Sequence, residues 1–168
     1  DEKLNSLMIS PIMISGNLII QNEISEKKSN FEIIIKDENN FQIKIDSKEI
    51  YYSLESTKIF DSSMNQLIVD IPDLDLIKNF NKFIIDRKVN IDTDCDEGSL
   101  IECKVKISQY NLFFDANFSE FDFSLKMVKY HFKGTSFTLE NLIFKNINYK
   151  DEKLNPDFEG IYMIDLRP

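Results

Sequence analysis

Cys95 and Cys103 are the two cysteines of this 168-residue chain, and they flank the segment Asp96–Glu102. Strand-like runs lie on either side, Val89–Asp92 before and Lys104–Ile107 after. A hairpin turning around Glu97-Gly98-Ser99 therefore sets the two sulfurs opposite each other, at the ~4.4–6.8 Å Cα separation that a disulfide requires. We expect that bond, and with it an oxidising compartment; the alternative is a pair of reduced thiols in a cytosolic protein. The same stretch, Asp92-Thr93-Asp94-Cys95-Asp96-Glu97-Gly98, begins like a calcium loop. An EF-hand needs Gly at its sixth position and Glu at its twelfth, where this chain has Glu97 and Cys103. Gly98 and Glu102 are each displaced by one, so a solvated acidic turn is expected, with a non-EF calcium site as the alternative. One histidine and two closely spaced cysteines do not make a zinc site either.

Other catalytic equipment is sparse. His131 is the single histidine, lies inside a strand-like run, and has no GxSxG elbow to serve. The glycines at 16, 98, 134 and 160 are too scattered to cradle a phosphate. Carboxylates such as Asp115, Glu120 and Asp122 need only meet in space to make a glycosidase pair, so carbohydrate hydrolysis stays as a third reading. Without tryptophan, a sugar platform there would rest on Tyr or Phe alone. Asn117-Phe118-Ser119 fits the N-glycosylation pattern, which arises often by chance in an Asn-rich chain. We expect no enzyme, no cofactor and no metal.

The balance of 29 acidic against 20 basic residues gives a net charge of −9. That opposes non-specific affinity for nucleic acid or an anionic membrane surface. Lys129, His131 and Lys133 would share one face of a strand, and we read them as a solvated outer face. No apolar run approaches the ~18–20 residues that span a bilayer; Leu7 to Ile14 is short and contains Pro11. The chain begins at Asp1 without a methionine, so a processed or an engineered start is expected, compatible with a precursor secreted or anchored through a removed N-terminal segment.

What positions these residues is a succession of short alternating runs. Phe41-Gln42-Ile43-Lys44-Ile45-Asp46 and Phe121-Asp122-Phe123-Ser124-Leu125-Lys126-Met127 are the clearest, each building a sheet with one apolar and one wet side. Strands are expected at Leu7–Ile14, Asn17–Ile24, Asn30–Lys36, Phe41–Asp46, Glu49–Leu54, Gln66–Ile71, Lys88–Asp92 and Ile101–Ser108. The rest of the chain adds Asn111–Phe118, Phe121–Phe132, Ser136–Leu139, Leu142–Tyr149 and Gly160–Leu166. The phase of Phe121–Phe132 changes near Met127-Val128, which predicts a β-bulge. With four glycines and four prolines, Asn, Asp and Ser must carry most turns. Asp73–Ile84 alone has helical spacing, with apolar residues at 76, 77, 80, 83 and 84 behind Pro72. The expectation is one all-β domain over 1–168, an antiparallel β-sandwich, jelly roll or half-open barrel with one short helix at about 73–84.

Phe41–Tyr52, followed by Lys58-Ile59-Phe60 and Gln66–Asp70, resembles the repeating element of the LptC/LptA-type lipopolysaccharide-transport family. There a strand ending in an "i-A-k-k-a-y-Y"-like phrase is followed by a short turn and another amphipathic strand. Val105–Tyr110 could continue the series. The resemblance covers about half the chain; Ser47 stands where the family usually has Ala, and neither the 73–84 helix nor the Cys95–Cys103 pair belongs to the pattern. AsmA-like lipid-bridge proteins share the same strand grammar. The resemblance implies a twisted jelly roll or β-groove in the periplasm whose interior shields acyl chains and whose edge strands join neighbouring modules. Its candidate liners are Phe41, Ile43, Ile45, Phe121, Phe123 and Leu125, each of which is otherwise an ordinary core residue.

The leading expectation is thus a non-enzymatic, periplasmic or extracellular β-domain binding or relaying lipid acyl chains, with an envelope protein as a partner through an edge strand. The alternative is a secreted or surface-anchored interaction or adhesion module with a closed core. The first predicts an open groove walled by Phe121 and Phe123; the second predicts those residues sealed. The hydrolase reading predicts two carboxylates about 5–10 Å apart in a cleft.

Overall fold

A computed structural model describes residues 11–37, 39–78, 91–96, 100–107, 112–119, 124–147 and 158–168. The fold is all-β. Its strands are β1 (Ile12–Gln21), β2 (Glu26–Ile35), β3 (Phe41–Ile45), β4 (Lys48–Tyr52), β5 (Thr57–Asp61), β6 (Gln66–Asp70), β7 (Ile91–Asp96), β8 (Leu100–Ile107), β9 (Leu112–Ser119), β10 (Leu125–Phe132), β11 (Thr135–Asn146) and β12 (Tyr162–Asp165). Among the described residues they form one open sheet in the order β12-β6-β5-β4-β3-β2-β1-β11-β10-β9-β8-β7, with β12 and β7 as its edges. The neighbours from β2 to β6 and from β7 to β11 pair antiparallel, whereas β12 joins β6 in parallel. The described residues fall into two compact units, one drawn from 1–14, 31–86 and 144–168 and the other from 15–30 and 87–143.

Small polar residues make the turns, as their abundance predicts. Asn22 Oδ1 accepts from the backbone N–H of Ile24 and of Ser25, and Asp37 Oδ1 accepts from that of Asn39. Asp61 does the same for Ser63, and Ser53 Oγ for Ser56. Each gives the backbone a local partner that ends the strand. Between β10 and β11 the turn residues Lys133 and Gly134 both have positive φ, 48° and 79°. That is the two-residue geometry which follows the strands' own twist.

Some strands differ from their expected limits. β1 is continuous where a break is expected at Ser15-Gly16, and β2 begins earlier, at Glu26. β5 is a strand that the expected set lacks. β11 fuses two expected strands: Asn141 at the junction has φ 55°, so the turn signal there is a kink within a continuous strand. The bulge in β10 falls between Leu125 and Met127 against Phe118 and Asn117 of β9, slightly before the expected place. The helix, α1, is described over residues 74–78. Asp73 caps it by accepting from the backbone N–H of Leu76 at 2.9 Å, and Ile77 is buried. The remainder of the expected helix lies outside the described residues.

In the second unit, alternation sorts β7–β10 into an apolar and a charged face. Cys103, Val105, Ile107 and Ala116 form a buried cluster, with Ile101, Phe114, Phe118 and Leu125 packed against it. On the opposite face Asp94, Lys104, Asp115 and Lys129 lie side by side across β7–β10 with alternating sign. Cys95 and Cys103 face each other across β7–β8 and are joined by a disulfide.

Candidate functional site

In the first unit the strand registers place six isoleucines in one unbroken row. Ile33 opposes Ile43, Ile43 opposes Ile50, Ile50 opposes Ile59, Ile59 opposes Ile68, and Ile68 opposes Ile164. The row crosses β2, β3, β4, β5, β6 and β12, and all six side chains are half-buried. Its cause is local: β3, β4, β5 and β6 are each five residues long with isoleucine third, in FQIKI, KEIYY, TKIFD and QLIVD. Two-residue periodicity and matched registers do the rest. The β-branched side chain favours the pleated backbone and fixes its own rotamer, so the row is a stiff, evenly corrugated apolar strip.

Two further rows flank it on the same face. One runs Phe31, Ile45, Lys48, Asp61, Gln66 and Tyr162; the other runs Ile35, Phe41, Tyr52, Thr57 and Asp70. Phe41 is buried and stacks on Tyr52, with ring centroids 4.7 Å apart. Burial, and behind it the charge of Asp73, raise the Tyr52 hydroxyl above its ordinary pKa. Thr57 Oγ1 accepts from the backbone N–H of Asp73 at 3.1 Å, which ties the start of α1 to this face.

The opposite face is mixed: Ile34, Leu67 and Val69 are buried on it, and polar side chains on it bond one another. Glu49 accepts from Gln42, Lys44 and Tyr51. Burial first, then the hydrogen bond to Glu49, push the Tyr51 hydroxyl well above the tyrosine range, so it stays protonated. Phe158 lies edge-on to Tyr51 and 5.8 Å from the Lys58 ammonium. A cavity of about 360 Å³ opens there, lined by Lys36, Asn40, Tyr51, Ser53, Lys58 and Phe158 among others.

Of the expected liners, Phe41, Ile43 and Ile45 come together on the isoleucine face, Ile43 within the row itself. Leu125 is elsewhere, packed against the buried cluster of the second unit. Phe121 and Phe123 lie outside the described residues. Residue-by-residue reading does not reach Ile33, Ile50, Ile59, Ile68 and Ile164, although isoleucine at the centre of successive five-residue runs is a signal that could have found four of the row. No group of His, Cys, Asp or Glu suited to a metal occurs among the described residues. No described helix is long and apolar enough to cross a membrane.

No family model and no curated protein matches the sequence. The likeness to the lipopolysaccharide-transport family therefore rests on the strand phrases alone. Among solved structures, the chain is similar to an uncharacterized conserved protein from Thermus thermophilus, at 7% identity and a TM-score of 0.57 over 98% of this chain and 95% of that one. That likeness shows a shared fold. A LolA-superfamily protein from Nitrosomonas europaea aligns at 9% identity over 94% and 96% of the two chains, with a TM-score of 0.44. A DUF1329-family protein from Desulfovibrio piger aligns at 9% identity over 89% and 90%, with a TM-score of 0.36. Scores of that size carry no functional argument.

Proposed function

We propose that this chain is a non-enzymatic, extracytoplasmic β-domain that holds or relays lipid acyl chains on the isoleucine face of its first unit. The isoleucine row carries the reading. Five inter-strand spacings of ~4.8 Å make it about 24 Å long. That exceeds the ~15 Å thickness of one leaflet's acyl layer, half of a ~30 Å hydrocarbon core. A single extended chain thus has a continuous partner along its length, bound by burial of apolar surface alone. A saturated chain offers no hydrogen bonds, and the row asks for none. The disulfide supports a periplasmic or extracellular setting, where such bonds persist.

The test is Ile50→Asp, at the middle of the row, with Ile50→Ala beside it. Displacement of a fluorescent fatty-acid probe should weaken about thirtyfold in the first and severalfold in the second, because a charge there must be desolvated against the chain. Circular dichroism should be unchanged for both. If a folded Ile50→Asp variant binds as tightly as the parent, the row is not the acyl site. If the parent binds no amphiphile, the interaction-module reading takes over, with the exposed Tyr162 and Met163 of edge strand β12 as its surface.

A further inference from the structure

The isoleucine face is uniform along its middle and graded along its sides. At β2 and β3 both flanking rows are apolar: Phe31 and Ile45 on one side, Ile35 and Phe41 on the other. At β5 and β6 both become polar, with Asp61 and Gln66 on one side and Thr57 and Asp70 on the other. The polar end is also net acidic. Lys48 opposes Asp61 across β4–β5, but Asp70 and the nearby Asp73 outweigh it. The hydrogen bond from Ser63, ahead of smaller aid from Lys48, holds the Asp61 carboxyl below its ordinary range, so it is ionised at neutral pH.

From this gradient, and resting on the acyl-binding reading above, we infer that the bound chain has a fixed direction and a selected head. Its methyl end lies at β2–β3, and its head group lies at β5–β6, where Asp70 and, from a buried position, Asp61 favour an ammonium-bearing lipid over an anionic one. The geometry leaves no other sensible arrangement for an amphiphile. A reversed chain would place a charged head between Phe31, Ile35, Ile45 and Phe41, where none of the flanking residues can solvate it. An anionic head at the correct end would meet carboxylates.

Three single-chain amphiphiles with one saturated chain length test this: an alkylammonium, a monoacylglycerol and a fatty carboxylate, each below its micelle concentration at pH 7. The expected order of affinity follows that sequence, with the ammonium about tenfold tighter than the carboxylate at low salt and the gap narrowing in high salt. Asp70→Asn should shrink the gap severalfold, by weakening the ammonium and strengthening the carboxylate. In parallel, a photoreactive group at the methyl end of the chain should label Phe31, Ile35 or Ile45, and one beside the head should label residues of β6. A carboxylate that binds as well as the ammonium, or a reversed labelling pattern, overturns the inference and leaves acyl binding standing. Failure of all three amphiphiles to bind overturns both.

Discussion

The two units build an apolar face by the same strand alternation and finish it differently. In the second, small residues such as Cys103 and Ala116 are set against Phe114 and Phe118, and the cluster closes with its central members 1–7% exposed. In the first, the central row repeats a single residue of one size, and its six members stay half-buried. Mixed sizes interlock and exclude everything else, as in a crystal of small molecules. A uniform row has no small-to-large relief to interlock with. It presents instead an even apolar surface. On the isoleucine face itself the larger Phe31 and Phe41 beside the row are buried, while the isoleucines are half-buried.

That contrast can be broken in measurable ways. Ile107→Ala in the closed cluster should cost about 2–5 kcal/mol of stability, since the surroundings cannot fill the cavity. It should leave probe binding by the folded protein within twofold, which denaturant titration and displacement at low temperature would check. A binding loss as large as the stability loss would mean that the two faces do not act separately. Reducing the Cys95–Cys103 bond removes a short loop constraint worth about 2–3 kcal/mol. Thermal melts with and without reductant should show this as a lowered midpoint, again with no change in affinity. The smallest effect belongs to Asp165 on β12, whose carboxyl is pulled down to about 2 by its hydrogen bonds from Arg167. A depressed pKa supports the fold above the ordinary carboxylate range and loses that support as pH falls toward 2. The pair is exposed, so the stability change should be slight. NMR titration should find the Asp165 midpoint near 2, and back in the usual carboxylate range in Arg167→Gln.

Much of this is legible in the chain. The alternation of Phe41–Ile45 announces β3, and matched strand-like runs around Cys95 and Cys103 announce the disulfide, because both signals are local. Thr57–Asp61 does not read as a strand, for a physical reason. Its two large apolar residues serve opposite faces: Ile59 joins the row, while Phe60 lies across the sheet, with its ring centroid 5.8 Å from that of Phe158. Glu26–Ser29 falls outside the expected strands because Glu26, Lys27 and Lys28 are exposed and give no apolar alternation. The row itself is invisible to periodicity. Each isoleucine is one residue in its own strand, and only the cross-strand register, a long-range property, shows that they are aligned.

The parallel seat of β12 gives the row a history in time. Five of its isoleucines come from strands β2–β6, which adjoin one another in sequence and in the sheet; the sixth, Ile164, arrives from a distant part of the chain. During synthesis, β6 must therefore wait with an unpaired backbone edge while residues 87–143 of the second unit are made. Long-range closures of this kind are slow, and waiting edges recruit other strands. The apolar strip is thus completed by the last of the described strands to be made, and a nascent chain stalled before β12 carries the greasy face without its final border.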